Sequence, residues 1–143
     1  MPAQSTARTV WQGDLLSGRG TTTPDSGAFP AVDVSWDTRT SRAGGSTSPE
    51  ELLAAAHASC FCMGLANELA QAGTPPERLE AGATVEFVPG EGVTASHIVV
   101  RGRVPGVDQD AFSEAAKAAG EGCPVSGALK GNVAITVEAT LDS

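Results

Sequence analysis

The sequence predicts an α+β fold with a mostly antiparallel sheet around a long central helix, and three features carry that prediction. Apolar and polar residues alternate at Val32, Val34 and Trp36 and again at Val133, Ile135, Val137 and Ala139, which is the period of half-buried strands. Ala83 to Val88 and Val93 to Val104 flank the turn-forming Pro89-Gly90-Glu91-Gly92 and so read as a hairpin with Ile98-Val99-Val100 at its apolar centre. Before the hairpin, Ser48-Pro49-Glu50-Glu51 signals a helix start: Ser48 as N-cap, Pro49 at the first helical position, and Glu51 completing a capping box. With 143 residues and 41% hydrophobic content, the chain fits one domain spanning 1–143. A domain of that size buries roughly 70% of the surface its unfolded chain exposes, so it has no need of disulfides to fold.

Taken in order, Thr9-Val10-Trp11 to Leu16 and Arg19 to Thr23 are strand-like, and Asp25-Ser26-Gly27 marks a turn before the Val32 strand. From Thr38 to Thr47 the composition changes to Thr, Ser, Arg and Gly and predicts a loop. The helix after it should run to about Gln71, where Gly73, Pro75 and Pro76 stop it. Asp108 to Ala119 is a short alanine-rich helix, Pro124 opens a further helical turn ending near Gly131, and the Val133 alternation forms the last strand. No internal repeat, low-complexity tail or linker interrupts this order.

Charge and cysteine content narrow the function. A net charge of −8 disfavours nucleic acid or an anionic membrane as partner, since either requires a basic patch. The N-terminal stretch lacks an apolar run, nothing resembles a secretory signal, and no segment reads as the ~20 apolar residues of a membrane span, so a cytoplasmic protein is expected. Three cysteines in a reducing compartment argue for catalytic or redox thiols over an architectural disulfide framework.

Two of those cysteines lie in the string HASCFCMG, residues 57–64, inside the long helix. At about 100° per residue, Cys60 and Cys62 point roughly 200° apart and cannot pair with each other while the helix stands. A zinc site is disfavoured by the same geometry: His57 and Cys60 share a face, Cys62 does not join them, and no second matching pair exists. Only one helix cysteine can meet Cys123. Cys62 is read as a buried small hydrophobe.

The strings SPEELLAAAHASCFCMGL and GCPVSGAL resemble the two signature segments of the OsmC/Ohr family, the osmotically inducible and organic hydroperoxide resistance proteins. Trp36-Asp37-Thr38-Arg39 is similar to the OsmC branch, and the order of elements matches over nearly the whole chain. The resemblance implies an OsmC-like fold and a thiol peroxidase that reduces organic hydroperoxides, with Cys60 attacking and Cys123 resolving. It implies no metal or flavin, because a thiolate attacks peroxide to give a sulfenic acid and a second thiol condenses with it. It also suggests a lipoyl-type dithiol as reductant. Helix geometry by itself favours the other assignment, since Cys123 precedes Pro124 at a helix start whereas Cys60 lies about three turns into its helix.

The family pattern answers this with an arginine and a glutamate beside the attacking thiol. The glutamate corresponds to Glu50, and the arginine to Arg39, with Arg19 in S-G-R-G resembling the Ohr-branch arginine and Arg42 close by. A bidentate Glu50 pair would hold the guanidinium so that it stabilises thiolate and peroxide oxygens. His57, one turn before Cys60, is read as structural; Phe61, Met63 and Leu65 as core or as walls of an apolar substrate pocket; Gly44-Gly45 as a flexible joint. Glu50 and Cys60 are separated by ten helical residues, about 15 Å. That distance, with Ala54, Ala55, Ala56, Ala58 and Ala66 along the helix, predicts an intertwined homodimer in which the partner's Glu50 and Arg39 complete each site. A redox sensor or ligand-binding protein of the same fold is the alternative reading.

Overall fold

The computed structural model describes residues 1–42 and 45–142 and divides the chain into two compact units, Met1–Leu52 and Leu53–Ser143. In the first, strands β1 (Ala7–Gln12), β2 (Arg19–Pro24) and β3 (Val32–Val34) form an antiparallel sheet in the order β1-β2-β3. β1 ends at Gln12, four residues short of the predicted Leu16, because Asp14 organises a turn: its carboxylate accepts from the backbone and hydroxyl of Ser17, and its carbonyl accepts from Gly18. The chain needs glycine at position 20, where a Cβ would come within 2.7 Å of the Trp11 ring.

The predicted loop from Thr38 to Thr47 is partly helical. Helix α1 (Trp36–Ser41) takes Trp36 out of the expected strand, and a reciprocal capping box starts it. The Thr38 N–H donates to Ser35 Oγ at 3.1 Å, and the Ser35 N–H donates to Thr38 Oγ1 at 3.2 Å. Six residues are too few to show helical periodicity, so only the Ser-x-x-Thr cap signalled it. Arg42 ends the helix in the left-handed conformation, with φ of 60°. Of the proposed Gly44-Gly45 joint, Gly44 lies outside the described residues; Gly45 occupies a turn at φ 81°.

Helix α2 (Pro49–Gln71) has the predicted bounds. Buried Ser48 caps it through the Glu51 N–H, 3.1 Å from Ser48 Oγ. The Glu51 carboxylate instead accepts from the Thr47 hydroxyl and from Arg42, so the expected box is replaced by a network across the helix start. At the far end Gly73, at φ 83°, lets the N–H groups of Gly73 and Thr74 turn back to the carbonyls of Ala70 and Leu69. By length and a mean hydropathy of 1.2 this helix would pass for a membrane span, contrary to the expectation that no segment approaches one. Length and apolar content alone make that likeness; here the apolar positions include a stripe packed on a sheet.

The second unit holds β4 (Arg78–Val88), β5 (Gly92–Arg103), α3 (Gln109–Gly122), α4 (Pro124–Leu129) and β6 (Ala134–Leu141), with strand order β4-β5-β6. β4 and β5 are the predicted antiparallel hairpin, with a register shift at Glu86/Phe87. β6 runs parallel to β5, unlike the other pairings, because the α3–α4 crossover returns the chain to the end of the sheet where β5 began. Phe61, Leu65 and Leu69, at helical spacing on α2, pack with Ile98 and Val100 of β5 and with Phe112, Ala116 and Ala119 of α3. Gly102 is fixed by that packing, since a Cβ there would meet the Phe112 ring at 2.5 Å. Met63 does not belong to this core: it stands roughly 200° around α2 from Phe61 and is 73% exposed.

Candidate functional site

Cys123 is the single residue between α3 and α4, C-cap of one and N-cap of the other, and Pro124 forces the break. Its N–H closes α3 on the Ala119 carbonyl at 2.9 Å, which turns its side chain toward α2. There its Sγ lies 3.0 Å from the Sγ of Cys60. The thiols are free, and a bond of about 2.05 Å requires the sulfurs to close by roughly 1 Å. Cys123 is buried and Cys60 half-buried.

The environment divides the two sulfurs. Burial and then the Cys123 hydrogen bond push the Cys60 thiol up. Burial also acts to raise Cys123, but it is outweighed by hydrogen bonding from Cys60 and from the backbone and hydroxyl of Ser126, with the Val125 N–H adding to them, and the net direction is down. By position Cys123 is the donor to Cys60, whereas the surroundings favour loss of the Cys123 proton first. We take Cys123 as the more acidic thiol, because the extra donors converge on it while a proton shared between two sulfurs can sit on either. No capping bond of full geometry joins the Cys123 sulfur to α4, so these donors stabilise its anion without locking it in place. Cys62 is half-buried, is pushed up by burial, and faces the backbone of Ala81 on β4, apart from the other two thiols.

In the first unit, Arg39 on α1 and Glu50 in the first turn of α2 form the predicted fork. Arg39 Nε reaches Oε1 at 3.1 Å and Oε2 at 3.2 Å, and Nη2 reaches Oε2 at 3.0 Å. Glu50 is only 5% exposed, and the Arg39 guanidinium carbon stands 6.0 Å from the centroid of the Trp36 ring. Arg42 is engaged elsewhere, donating to Ser48 Oγ at 2.6 Å and to Glu51 at 3.2 Å and so tying α1 to the start of α2. Arg19 is exposed at the start of β2, lining a cleft with Ser35, Asp37 and Thr38. The predicted residues thus come together as two pairs, Cys60 with Cys123 and Arg39 with Glu50.

Sequence reasoning missed the surroundings of His57. Its ring is fully buried, with Nδ1 2.6 Å from Ser96 Oγ and Nε2 2.8 Å from Ser126 Oγ. Burial lowers its pKa, keeping the ring neutral. Both ring nitrogens are engaged by hydroxyls; among the described residues no cluster of three or more His, Cys, Asp or Glu could hold a metal ion. Only an isolated histidine in an apolar helix hinted at a buried polar network, and its serine partners, 39 and 69 positions away, carried no signal.

Two free thiols seated between a long helix and a helix break, beside a mixed three-stranded sheet, define an α+β protein with a candidate dithiol site. Residues 42–138 match the family described as OsmC-like protein. Over 128 residues the chain is 35% identical to Peroxiredoxin OsmC of Escherichia coli (strain K12), covering 87% of this chain and 89% of that protein. Solved structures similar in fold include an OsmC-like protein from Mycoplasma pneumoniae, with a TM-score of 0.75 at 16% identity and full coverage of both chains. Another is the organic hydroperoxide resistance protein OhrB of Bacillus subtilis, with a TM-score of 0.67 at 24% identity, covering 94% of this chain and 98% of that one. The chain belongs to the OsmC family, in its OsmC branch.

Proposed function

We propose that this protein is a thiol-dependent peroxidase that reduces organic hydroperoxides to alcohols. The observation that carries the reading is the 3.0 Å separation of Cys60 and Cys123. It is supported by the relative named Peroxiredoxin OsmC and the fold neighbour named for organic hydroperoxide resistance. Cys60 attacks the distal peroxide oxygen as thiolate; the O–O bond breaks, the alkoxide takes a proton and leaves as alcohol, and Cys60 becomes a sulfenic acid. Cys123 then attacks the Cys60 sulfur, forming the disulfide as hydroxide departs with the Cys123 proton as water. A dithiol reductant, of the lipoyl type, restores both thiols.

Cys60 plays the attacking role because it is the more accessible sulfur, although its own surroundings raise its pKa. A cation is therefore required, and the Arg39–Glu50 fork is the candidate, with Glu50 fixing the guanidinium. Ten residues of continuous helix between Glu50 and Cys60 amount to about 15 Å, so the fork is supplied by a second copy in an intertwined homodimer. The exposed α2 positions Ala55, Ala56, Ser59 and Met63 offer the second copy a face of small and flexible residues, and β1 is exposed along its length, Val10 and Trp11 included. The acidic chain works in the cytoplasm as one functional domain without nucleic acid or membrane partners. The test is steady-state consumption of an organic hydroperoxide with a dithiol donor: turnover lost in Cys60→Ser supports the reading, and absence of turnover in the reduced wild-type protein contradicts it.

A further inference from the structure

We propose that the cleft between α3, α4 and β6 is a binding site, separate from the thiol pair, for a single-chain amphiphile carrying one carboxylate. This goes beyond the peroxidase reading and does not depend on it.

The cleft encloses about 490 Å³, within the range of about 300–1,000 Å³ of small-molecule sites. Its lining includes neither Cys60 nor Cys123. The floor is apolar, made by Ile135 and Val137, half-buried on β6. α3 passes so close to this strand that a Cβ at Gly120 would come within 2.9 Å of Val137 Cγ2, so backbone packing sets the floor. Ser126 of α4 forms part of the wall, but its hydroxyl is already engaged by His57 Nε2 at 2.8 Å. Polar recognition therefore falls to the exposed rim.

That rim holds both lysines of the chain, Lys117 on α3 and Lys130 just after α4. Both are exposed, and among the described residues neither side chain forms an ion pair. Their freedom stands out in a chain with 17 acidic residues, where Arg39, Arg42, Arg78 and Arg101 are each paired. Glu121 stands one turn after Lys117 and lines the same cleft, yet no ion pair joins them; lysine N-terminal to glutamate is the less favourable order at this spacing. Two ammonium groups against one carboxylate leave a surplus of one positive charge at neutral pH. A ligand carboxylate cancels that surplus, whereas a phosphate monoester, at about −1.5 to −2, exceeds it. The two halves together define the ligand class: an alkyl chain laid on Ile135 and Val137, out of water, and a carboxylate at the lysine rim.

The test is an NMR titration of the reduced protein with octanoate at low ionic strength, following the backbone amides of Gly120, Ile135 and Val137. Saturable shifts are expected there, with octanoate bound about tenfold or more tighter than butyrate because the added methylenes lie on the apolar floor. Octanol and octyl phosphate, which change the head group alone, should each bind more weakly than octanoate. Lys117→Gln combined with Lys130→Gln, both at exposed positions, should weaken octanoate about fivefold or more and leave octanol unchanged. Added salt should weaken octanoate in the same sense. Five results would each overturn the proposal: no saturable shifts; shifts centred on the residues around Cys60; octanol bound as tightly as octanoate; octyl phosphate bound more tightly; or unchanged affinity in the folded double variant. Octanoate has no O–O bond, so the titration leaves the peroxidase reading to the hydroperoxide assay, and either can fail without the other.

Discussion

The Cys123 sulfur stands 3.0 Å from the Cys60 sulfur, across 63 positions of chain, because the break between α3 and α4 turns Cys123 onto the middle of α2. This contact places the two thiols within a small movement of a disulfide while leaving both reduced. The donors around Cys123 make it the better thiolate at rest, whereas the first chemical step is assigned to Cys60. In the proposed reaction Cys60 therefore requires a cation from outside its own surroundings.

Replacing the thiols separates the roles. Cys60→Ser should abolish peroxide consumption, and Cys123→Ser should allow one oxidation that stops at sulfenic acid or proceeds to sulfinic acid. Trapping with a sulfenic-acid reagent and mass analysis reads both. A sulfenic acid formed on Cys123 of the Cys60→Ser protein at the wild-type rate would reverse the assignment.

Cys62→Ala should leave turnover within about twofold and cost about 1 kcal/mol of stability, because only a half-buried sulfur facing β4 is removed. Urea denaturation and the steady-state assay check the two parts. A loss of activity matching Cys60→Ser would show that the opposite face of α2 takes part in the reaction.

The Arg39–Glu50 fork should matter for rate. Glu50→Ala and Arg39→Lys each remove the bidentate geometry, and a loss of about 10²-fold in kcat/KM is expected for a positioned donor of this kind. If the site is shared between two chains, mixing inactive Cys60→Ser with strongly impaired Glu50→Ala protein raises the activity above that of Glu50→Ala alone. Native mass spectrometry must confirm exchange; exchange without recovery contradicts the shared site.

Much of this arrangement was legible in the chain. The Ser48-Pro49 start and the Gly73 stop gave both ends of α2, because caps and breakers act locally. The opposed directions of Cys60 and Cys62 followed from helical geometry, and the Arg39–Glu50 pairing followed from resemblance. The rest depended on contacts distant in sequence. The capping box of α1 was too short to outweigh a polar composition, and β6 became parallel through the route of its crossover, which no strand pattern encodes. Residue type alone reads Met63 as core or as a wall of an apolar pocket, and its angle around α2 from Phe61 puts it outside the core. Ser96 and Ser126 look like ordinary strand and helix serines until the fold brings them to His57.

His57 makes acid a specific threat to this protein. Its folded pKa lies below the ordinary value of 6.5 because its ring is buried, so the unfolded chain binds the proton more readily. The sign follows: its contribution to stability is fully present above pH about 6.5 and declines as pH falls from there toward the folded pKa. Urea midpoints measured between pH 7.5 and about pH 5 should fall, and the His57→Gln protein should show a shallower fall. An equal slope in both proteins would place the acid sensitivity elsewhere.

The most direct test of the central claim is mass spectrometry of the reduced protein after one equivalent of an organic hydroperoxide, without added reductant. The expected result is loss of two hydrogens from the chain and, after proteolysis, a peptide pair joined through Cys60 and Cys123, with Cys62 still alkylatable. A chain that leaves the hydroperoxide unreacted, or that joins Cys62 to either partner in place of the Cys60–Cys123 bond, would contradict it.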